Sequence, residues 1–175
     1  MYGFGGVAGH IGNSDSSSFS VDYEFGSGGV AAVYTMAKSP TNDSGNAGIR
    51  NIEVAGKYRV EALQFAVLGT ISHNTGNGAQ IDAVDATVNY ELSPFWSVAA
   101  TYTYMGGNAV LDNAHANQAD ATLTYHFSKR TSVYGTYVWQ RASGQGALAR
   151  INSTQTSPSS SDAQTMVGIS IMHLF

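Results

Sequence analysis

The sequence predicts an all-β fold, more specifically an antiparallel transmembrane β-barrel, from three observations. First, a short aromatic motif recurs about every 32 to 35 residues. Its copies are Tyr23–Glu24–Phe25, Tyr58–Arg59–Val60, Tyr90–Glu91–Leu92 and Tyr125–His126–Phe127. Second, each copy closes a run of alternating apolar and polar residues, the pattern of a strand with two different faces. Third, only 11% of the residues are charged, yet the mean hydropathy is -0.11 and no run approaches the roughly 20 apolar residues of a membrane helix.

Ten strands follow in order from this alternation and from the turn residues between the runs. The second, fourth, sixth and eighth end on the aromatic motif, and the third, fifth, seventh and ninth start after tight turns. The tenth ends on the related His173–Leu174–Phe175. The first, third and ninth strands either are rich in glycine or carry apolar residues on both faces, so the alternation is weakest in them. The predicted strands cover about residues 2–10, 17–25, 29–37, 50–60, 62–73, 81–92, 95–105, 117–128, 131–142 and 163–175.

The connections alternate in length, which orients the chain. Tight turns are predicted at Gly26–Ser27–Gly28, Glu61, Ser93–Pro94 and Lys129–Arg130. The other connections are long and polar, at residues 11–16, 38–49, 74–80, 106–116 and 142–162; the last is of low complexity and is predicted to be mobile. Outer-membrane barrels have short periplasmic turns and longer external loops, so Phe175 is predicted to lie at the periplasmic end.

The two faces of the strands distinguish a membrane barrel from a soluble β-sandwich. The apolar face carries a charge only at Arg50, Asp82 and Arg141, all next to long loops. Aromatic residues gather near the strand ends, as in the girdles at the two membrane interfaces. The other face holds mostly small residues, such as Ala55 and Thr101, which cannot fill a dry core. The polar face is therefore predicted to border water and the apolar face to border lipid.

The predicted lumen carries the candidate functional residues. Charged pore walls set ion preference through their local field, so the charged residues on this face are candidates for tuning permeation. For each of them alone, the simpler role of keeping the wall wet is an equal alternative. The pore-lining candidates are Asp22, Glu24, Glu53, Lys57, Arg59, Asp85, Glu91 and Asp120.

Other functional classes find little support in the sequence. The histidines are predicted at separate places, with His126 in the lumen and His173 at the interface, so no catalytic constellation and no enzyme is predicted. The oxygen-rich stretch 42–46 does not match a defined Ca²⁺ loop, and no metal or other cofactor is predicted. The net charge of -4 makes nucleic acid an unsuitable partner. The chain has no cysteine, which excludes a disulfide scaffold.

Three stretches resemble the general diffusion porins of Gram-negative bacteria, in particular the β-proteobacterial type found in neisserial and burkholderial species. They are residues 90–98 (YELSPFWSV), residues 123–134 (LTYHFSKRTSVY) and the end at 167–175 (VGISIMHLF). The match is specific over the final 90 residues or so and weaker before them. The resemblance implies a place in the bacterial outer membrane and passive diffusion of small hydrophilic solutes and ions.

The resemblance also implies a larger protein and several partners. Such porins have about 16 strands, so residues 1–175 are predicted to form a single porin-type domain that is the carboxyl-terminal part of a longer porin, with Met1 an internal or artificial start. The implied partners are outer-membrane lipids, lipopolysaccharide, the barrel assembly machinery and, at full length, two further copies in a homotrimer. The final strand is similar to the assembly signal, with Met172 and Leu174 where this family has basic residues. The assembly-signal candidates are Val167, Ile169, Ile171, His173 and Phe175.

Two alternatives to a conducting porin remain open at this point. The chain could form a small structural or adhesive barrel whose external loops bind a partner, or a porin fragment that does not conduct. An even ten-stranded barrel is physically allowed, but nothing in the sequence shows that the first and last strands pair.

Overall fold

The computed structural model describes residues 1–5, 9–10, 12–39, 46–151 and 158–175. Within these residues the alternating runs form ten antiparallel strands, each hydrogen-bonded to its neighbour in the chain. A short 3₁₀ helix, Ala109–Leu111, lies in the connection between the seventh and eighth strands. The strands are β1 (Tyr2–Gly3), β2 (Ser16–Phe25), β3 (Gly28–Lys38), β4 (Gly48–Val60), β5 (Leu63–Asn74), β6 (Gln80–Ser93), β7 (Trp96–Gly107), β8 (His115–His126), β9 (Thr131–Ser143) and β10 (Ala163–His173).

The predicted all-β, antiparallel fold is confirmed, and β2 to β10 agree with their predicted bounds to within two residues. The first strand, predicted at 2–10, is shorter in the described residues: β1 ends at Gly3, residues 4–5 and 9–10 are not in a strand, and residues 6–8 lie outside the described residues. Gly9 has a φ of 81° and His10 accepts a turn hydrogen bond from Asn13, so the chain bends away from the sheet there. The 3₁₀ helix was not predicted. The stretch 42–46, considered above for Ca²⁺, falls almost entirely outside the described residues.

The ladders place residues of many strands in rows across the sheet, and residues directly opposite each other share a face. One such row crosses nine strands. It consists of Asp22, Ala31, Ala55, Leu68, Asp85, Thr103, Gln118, Gln140 and Gln164. We call the face that holds this row the inner face and the opposite face the outer face.

The sheet curves towards the inner face. A hollow of about 470 Å³ lies against it and is bordered by residues of six successive strands, from Asp22 on β2 to Thr101 on β7. A flat sheet could not border one hollow with six strands, so the inner face is concave. Curvature also shields this face, where Thr103, Ser132 and Gln140 are buried.

The outer face is an exposed apolar surface. Val54 on β4 is 59% exposed, and Val167 and Ile169 on β10 are 74% and 82% exposed. Among the described residues no large side chain is fully buried, so the sheet has no dry core of the kind that holds a soluble sandwich together. An apolar face of this extent is stable only against an apolar surrounding. This arrangement agrees with the predicted separation of the two faces.

The described strands form an open sheet. β1 pairs with β2 and β10 pairs with β9, and no ladder between described residues joins β1 to β10. In the same part of the chain, no helix has the length and apolar character to cross a membrane.

Candidate functional site: the charged inner wall

All eight charged pore-lining candidates lie on the inner face. Asp22 and Asp85 belong to the row defined above. Glu24, Lys57 and Asp120 belong to the adjacent row, nearer the tight turns. The remaining three, Glu53, Arg59 and Glu91, follow from the two-residue period of β4 and β6, because alternate residues of a strand share a face.

Two ion pairs cross the wall by spanning an intervening strand. Lys57 Nζ on β4 lies 2.9 Å from Glu24 Oε1 on β2, and β3 runs between them. Arg59 on β4 pairs in the same way with Glu91 on β6, across β5. Both pairs are about half exposed, so solvent screens them and each contributes little to stability. They do cancel four of the eight charges locally.

The other four candidates are all carboxylates. The hydroxyl of Thr103 donates to Asp85, and the amide of Gln118 donates to Asp120 at 3.1 Å. Neutral donors orient these carboxylates without cancelling their charge. Asp22 and Glu53 form no ion pair with any described residue. The wall therefore has a negative excess, contributed by Asp22, Glu53, Asp85 and Asp120.

Small side chains keep the hollow in front of this wall open. Its floor includes Ala31, Ala55 and Ala66. Further along, hydroxyl groups bond across strands, with Thr87 Oγ1 to Thr101 Oγ1 at 2.9 Å and Thr122 to Thr136 at 3.3 Å. These cross-strand bonds use part of each hydroxyl's capacity and leave lone pairs that can bond water.

At the end of the sheet with the long connections, a third ion pair was not predicted. Lys38 Nζ lies 2.9 Å from Asp15 Oδ1 and also donates to the carbonyl of Gly12 at 2.7 Å. The hydrogen bond from Lys38 holds the pKa of the Asp15 carboxyl below its usual value. Sequence reasoning missed this pair because Asp15 lies in a connection, where alternation gives no information about direction.

The last long connection, predicted to be mobile from its low complexity, contacts the sheet through its described residues. Ala149 and Ile151 are 0% and 2% exposed, and the backbone of this segment bonds to side chains of β9 and β10. Low complexity carries no signal for such docking, since the partners are two single glutamines on the strands that the connection joins.

The histidines do not converge. His126 Nδ1 lies 2.8 Å from Ser132 Oγ on the inner face, and His173 Nδ1 lies 2.9 Å from Thr131 Oγ1. Ser132 is 6% exposed, and no described carboxylate forms an ion pair with His126. Among the described residues no group of three His, Asp or Glu side chains is placed to hold a metal ion.

The assembly-signal candidates lie together at the end of β10. Val167, Ile169 and Ile171 are at least 71% exposed on the outer face. The ring of His173 packs edge-on against Phe175, with ring centroids 4.8 Å apart, and Phe175 is fully exposed. The candidates thus form one apolar stripe that ends in an aromatic group.

A curved antiparallel sheet with an apolar exterior and a charged, hollow interior defines the wall of a membrane β-barrel. The family model described as Gram-negative porin matches residues 1–145. The chain belongs to this family, which confirms the predicted resemblance and places the chain in the bacterial outer membrane. No curated protein matches the chain.

Solved structures agree on the fold. The chain is similar to the anion-selective porin from Comamonas acidovorans, with a TM-score of 0.78 and 15% identity over 99% of this chain and 52% of that one. It is also similar to the outer-membrane expressed OmpT of Vibrio cholerae, with a TM-score of 0.66 and 17% identity over 92% of this chain and 57% of that one. A loop L8 deletion mutant of that OmpT gives a TM-score of 0.62 and 18% identity over 91% of this chain and 53% of that one. The chain spans about half the length of these proteins.

Proposed function

We propose that this chain forms part of the wall of a channel that passes small hydrophilic solutes and ions by passive diffusion. One observation carries the proposal: the hollow of about 470 Å³ on the inner face is lined by small and charged residues, while the outer face is apolar. A wall that is wet on one side and lipid-facing on the other serves permeation directly.

The charge of the wall favours cations. Of the eight candidates on the inner face six are carboxylates and two are cations, and the two ion pairs leave four carboxylates without a counter-charge among the described residues. Two of these four, Asp22 and Asp85, border the hollow. A negative wall raises the local concentration of cations and lowers that of anions. The preference expected of this part of the wall is therefore opposite to that of the Comamonas porin, whose description is anion-selective.

We further propose that residues 1–175 are one porin-type domain, the carboxyl-terminal part of a longer porin with about 16 strands that assembles as a homotrimer. The coverage of 52% of the Comamonas porin supports the greater length. With ten strands the barrel would be near the size at which side chains fill the interior, so conduction should need the additional strands.

The partners follow from the two surfaces. The apolar outer face is suited to outer-membrane lipid and to the acyl chains of lipopolysaccharide. The stripe formed by Val167, Ile169, Ile171, His173 and Phe175 is exposed along one edge strand, which suits recognition by the barrel assembly machinery.

A catalytic role is not part of the proposal. Among the described residues one hydroxyl–imidazole contact lies on the inner face, between His126 and Ser132, and its hydroxyl is in a buried position. The wall carboxylates stand on several strands, and the hydroxyl of Thr103 beside Asp85 forms no contact with a described imidazole. Dispersed charges of this kind act on ions through their field.

Single-channel recording tests the proposed function. The 175-residue chain and the full-length protein that contains it would be folded in detergent and added to planar bilayers. Stepwise conductance with cation preference is expected from the full-length protein, and little or none from the 175-residue chain. A folded full-length protein that does not conduct would overturn the channel function, and a large stable conductance from the 175-residue monomer would overturn the need for further strands.

A further inference from the structure

The connection between β9 and β10 folds back onto the inner face. The backbone N–H of Arg150 donates to Gln140 Oε1 at 2.6 Å, and the N–H of Ile151 donates to Gln164 Oε1 at 2.6 Å. Gln140 and Gln164 are opposite each other in the β9–β10 ladder and belong to the inner-face row. Two consecutive residues of the connection are thus bonded to the concave wall. We call residues 147–151 the inner segment.

Alternate residues of the inner segment are buried, while Leu148 and Arg150 between them are exposed. Ala149 is 0% exposed and Ile151 is 2% exposed, less than any other buried apolar residue in the described part of the chain. Ala149 also bonds to the returning chain: its N–H donates to the Ser161 carbonyl at 3.1 Å, and its carbonyl accepts from the Ser159 N–H at 2.8 Å. The segment therefore lies between the wall and the chain that leads back into β10.

The side chain of Gln140 is chemically suited to this position. Its carbonyl accepts from the inner segment while its NH₂ group donates to Gln118 Oε1 at 2.9 Å, so one amide joins the segment to the wall and to β8. A glutamate could accept from the segment but could not donate to Gln118. A leucine could do neither and would leave the N–H of Arg150 without this partner, at a cost in free energy.

The segment reaches well inside the strand ends. Gln140 is three residues before the end of β9, and Gln164 is the second residue of β10. At about 3.3 Å per residue, the contact with Gln140 lies roughly 10 Å below the end of β9. The segment thus occupies part of the cross-section that the concave wall surrounds.

A recess beside the segment is lined mainly by apolar residues, with His115, Gln140 and Arg150 also at its border. It has a volume of about 370 Å³ and is bordered by the inner segment, the connection between β7 and β8, and the inner-face ends of several strands. Leu148 stands 51% exposed at this recess. The apolar residues around it include Ile81, Met105, Leu111, Ala116, Ala142 and Leu148.

We infer that the inner segment is a constriction element of the channel at its external end, held in place by Gln140 and Gln164. The inference rests on the proposed function. The segment narrows the passage from one side and presents Leu148 to it, so it restricts large hydrated solutes most. The free-energy cost of passing this side of the mouth is lower for a solute with an apolar group than for a fully hydroxylated solute of the same size.

The position of the segment can be tested without conduction. The chain has no cysteine, so Leu148→Cys combined with Met105→Cys gives two defined thiols at the same recess. The matched control combines Leu148→Cys with Tyr104→Cys, whose side chain lies on the outer face. With a short bis-maleimide added to folded protein, cross-linking is expected for the first pair and not for the control. Equal yields, or no cross-link in either pair, would overturn the docked position.

The constriction is tested in the full-length protein by Gln140→Leu combined with Gln164→Leu. Loss of both acceptors should release the segment, abolish the cross-link and raise the single-channel conductance. Gln80→Leu, on the outer face of β6, is the control and should change neither. Release without a rise in conductance would overturn the constriction role. A parent protein that cross-links but does not conduct would overturn the proposed function and the constriction together, and would leave the docked position standing.

Discussion

Lys57 reaches Glu24 over the backbone of β3, and the residue opposite both of them is Gly29. A Cβ atom added at position 29 would lie 2.6 Å from Oε2 of Glu24. Glycine therefore leaves the space through which the two charged side chains meet. The ion pair links β2 and β4, which are not neighbours, and it depends on the absence of a side chain at this position of β3.

We predict that Gly29→Ala is tolerated but separates Glu24 from Lys57. The added methyl group meets only the flexible end of Glu24, and a solvent-exposed ion pair is worth less than about 1 kcal/mol. Gly48→Ala is the matched comparison, because its Cβ would meet the backbone of Ala37 and Lys38. It should cost about 1 to 3 kcal/mol. Urea unfolding in detergent measures both, and equal costs would contradict the prediction.

A charged substitution on the outer face should lower the free energy of unfolding much more than a charged substitution on the inner face. Val54→Arg, near the middle of β4, should destabilise the membrane-inserted protein by about 2 to 4 kcal/mol if it lies at the bilayer midplane. Ala55→Arg, one residue along and on the inner face, is the control and should cost much less because its side chain reaches water. Unfolding from lipid vesicles provides the comparison, and a larger cost at position 55 would reverse the assignment of the faces.

Removal of wall carboxylates should weaken cation preference. Asp22→Asn combined with Asp85→Asn removes two of the four uncompensated charges, so the reversal potential of the full-length channel in a salt gradient should move towards that of a non-selective pore. Asp82→Asn makes the same chemical change on the outer face of β6 and should leave the potential unchanged. If the two variants behave alike, the charges on the inner face do not govern ion preference.

Acid should weaken the contact between the first long connection and β3. The pKa of Asp15 is lowered by its hydrogen bond from Lys38, so its charged form stabilises the folded state above the unfolded value of about 3.9. This contribution is lost as the pH falls through 3.9 and then through the lower folded value. Thermal unfolding of the parent and of Asp15→Asn should differ at neutral pH and converge in acid. A difference between the parent and Asp15→Asn that stays the same from neutral to acidic pH would contradict this role of Asp15.

Deletion of Phe175 should lower outer-membrane insertion in cells. The residue is fully exposed at the end of the β10 stripe, where a recognition partner could reach it. The deletion removes no bond of the β9–β10 ladder, which ends at His173. Folding into detergent micelles in vitro should therefore be unaffected, and this measurement is the control. Unchanged insertion in cells would show that Phe175 is not the signal.

The faces of the strands could be predicted from sequence because side chains alternate with a period of two, so Glu53 and Val54 must point opposite ways. This alternation predicts which residues share a face within one strand, but it does not predict contacts between strands. The Glu24–Lys57 contact depends on the register of two successive ladders and on the glycine between them. The docking of Arg150 on Gln140 depends on a loop that has no period at all. The short β1 shows the converse, since Gly9 lies within the predicted strand but has a φ of 81°, which a strand does not allow.

The open edges of the sheet have a consequence for handling the chain in water. In the described structure the outer edge of β10 exposes backbone donors and acceptors along a strand whose outer face carries Val167, Ile169 and Ile171. Such an edge is a template onto which another copy can add its own strand. Refolding at high protein concentration should therefore give strand-joined aggregates, and dilution into excess detergent should suppress them.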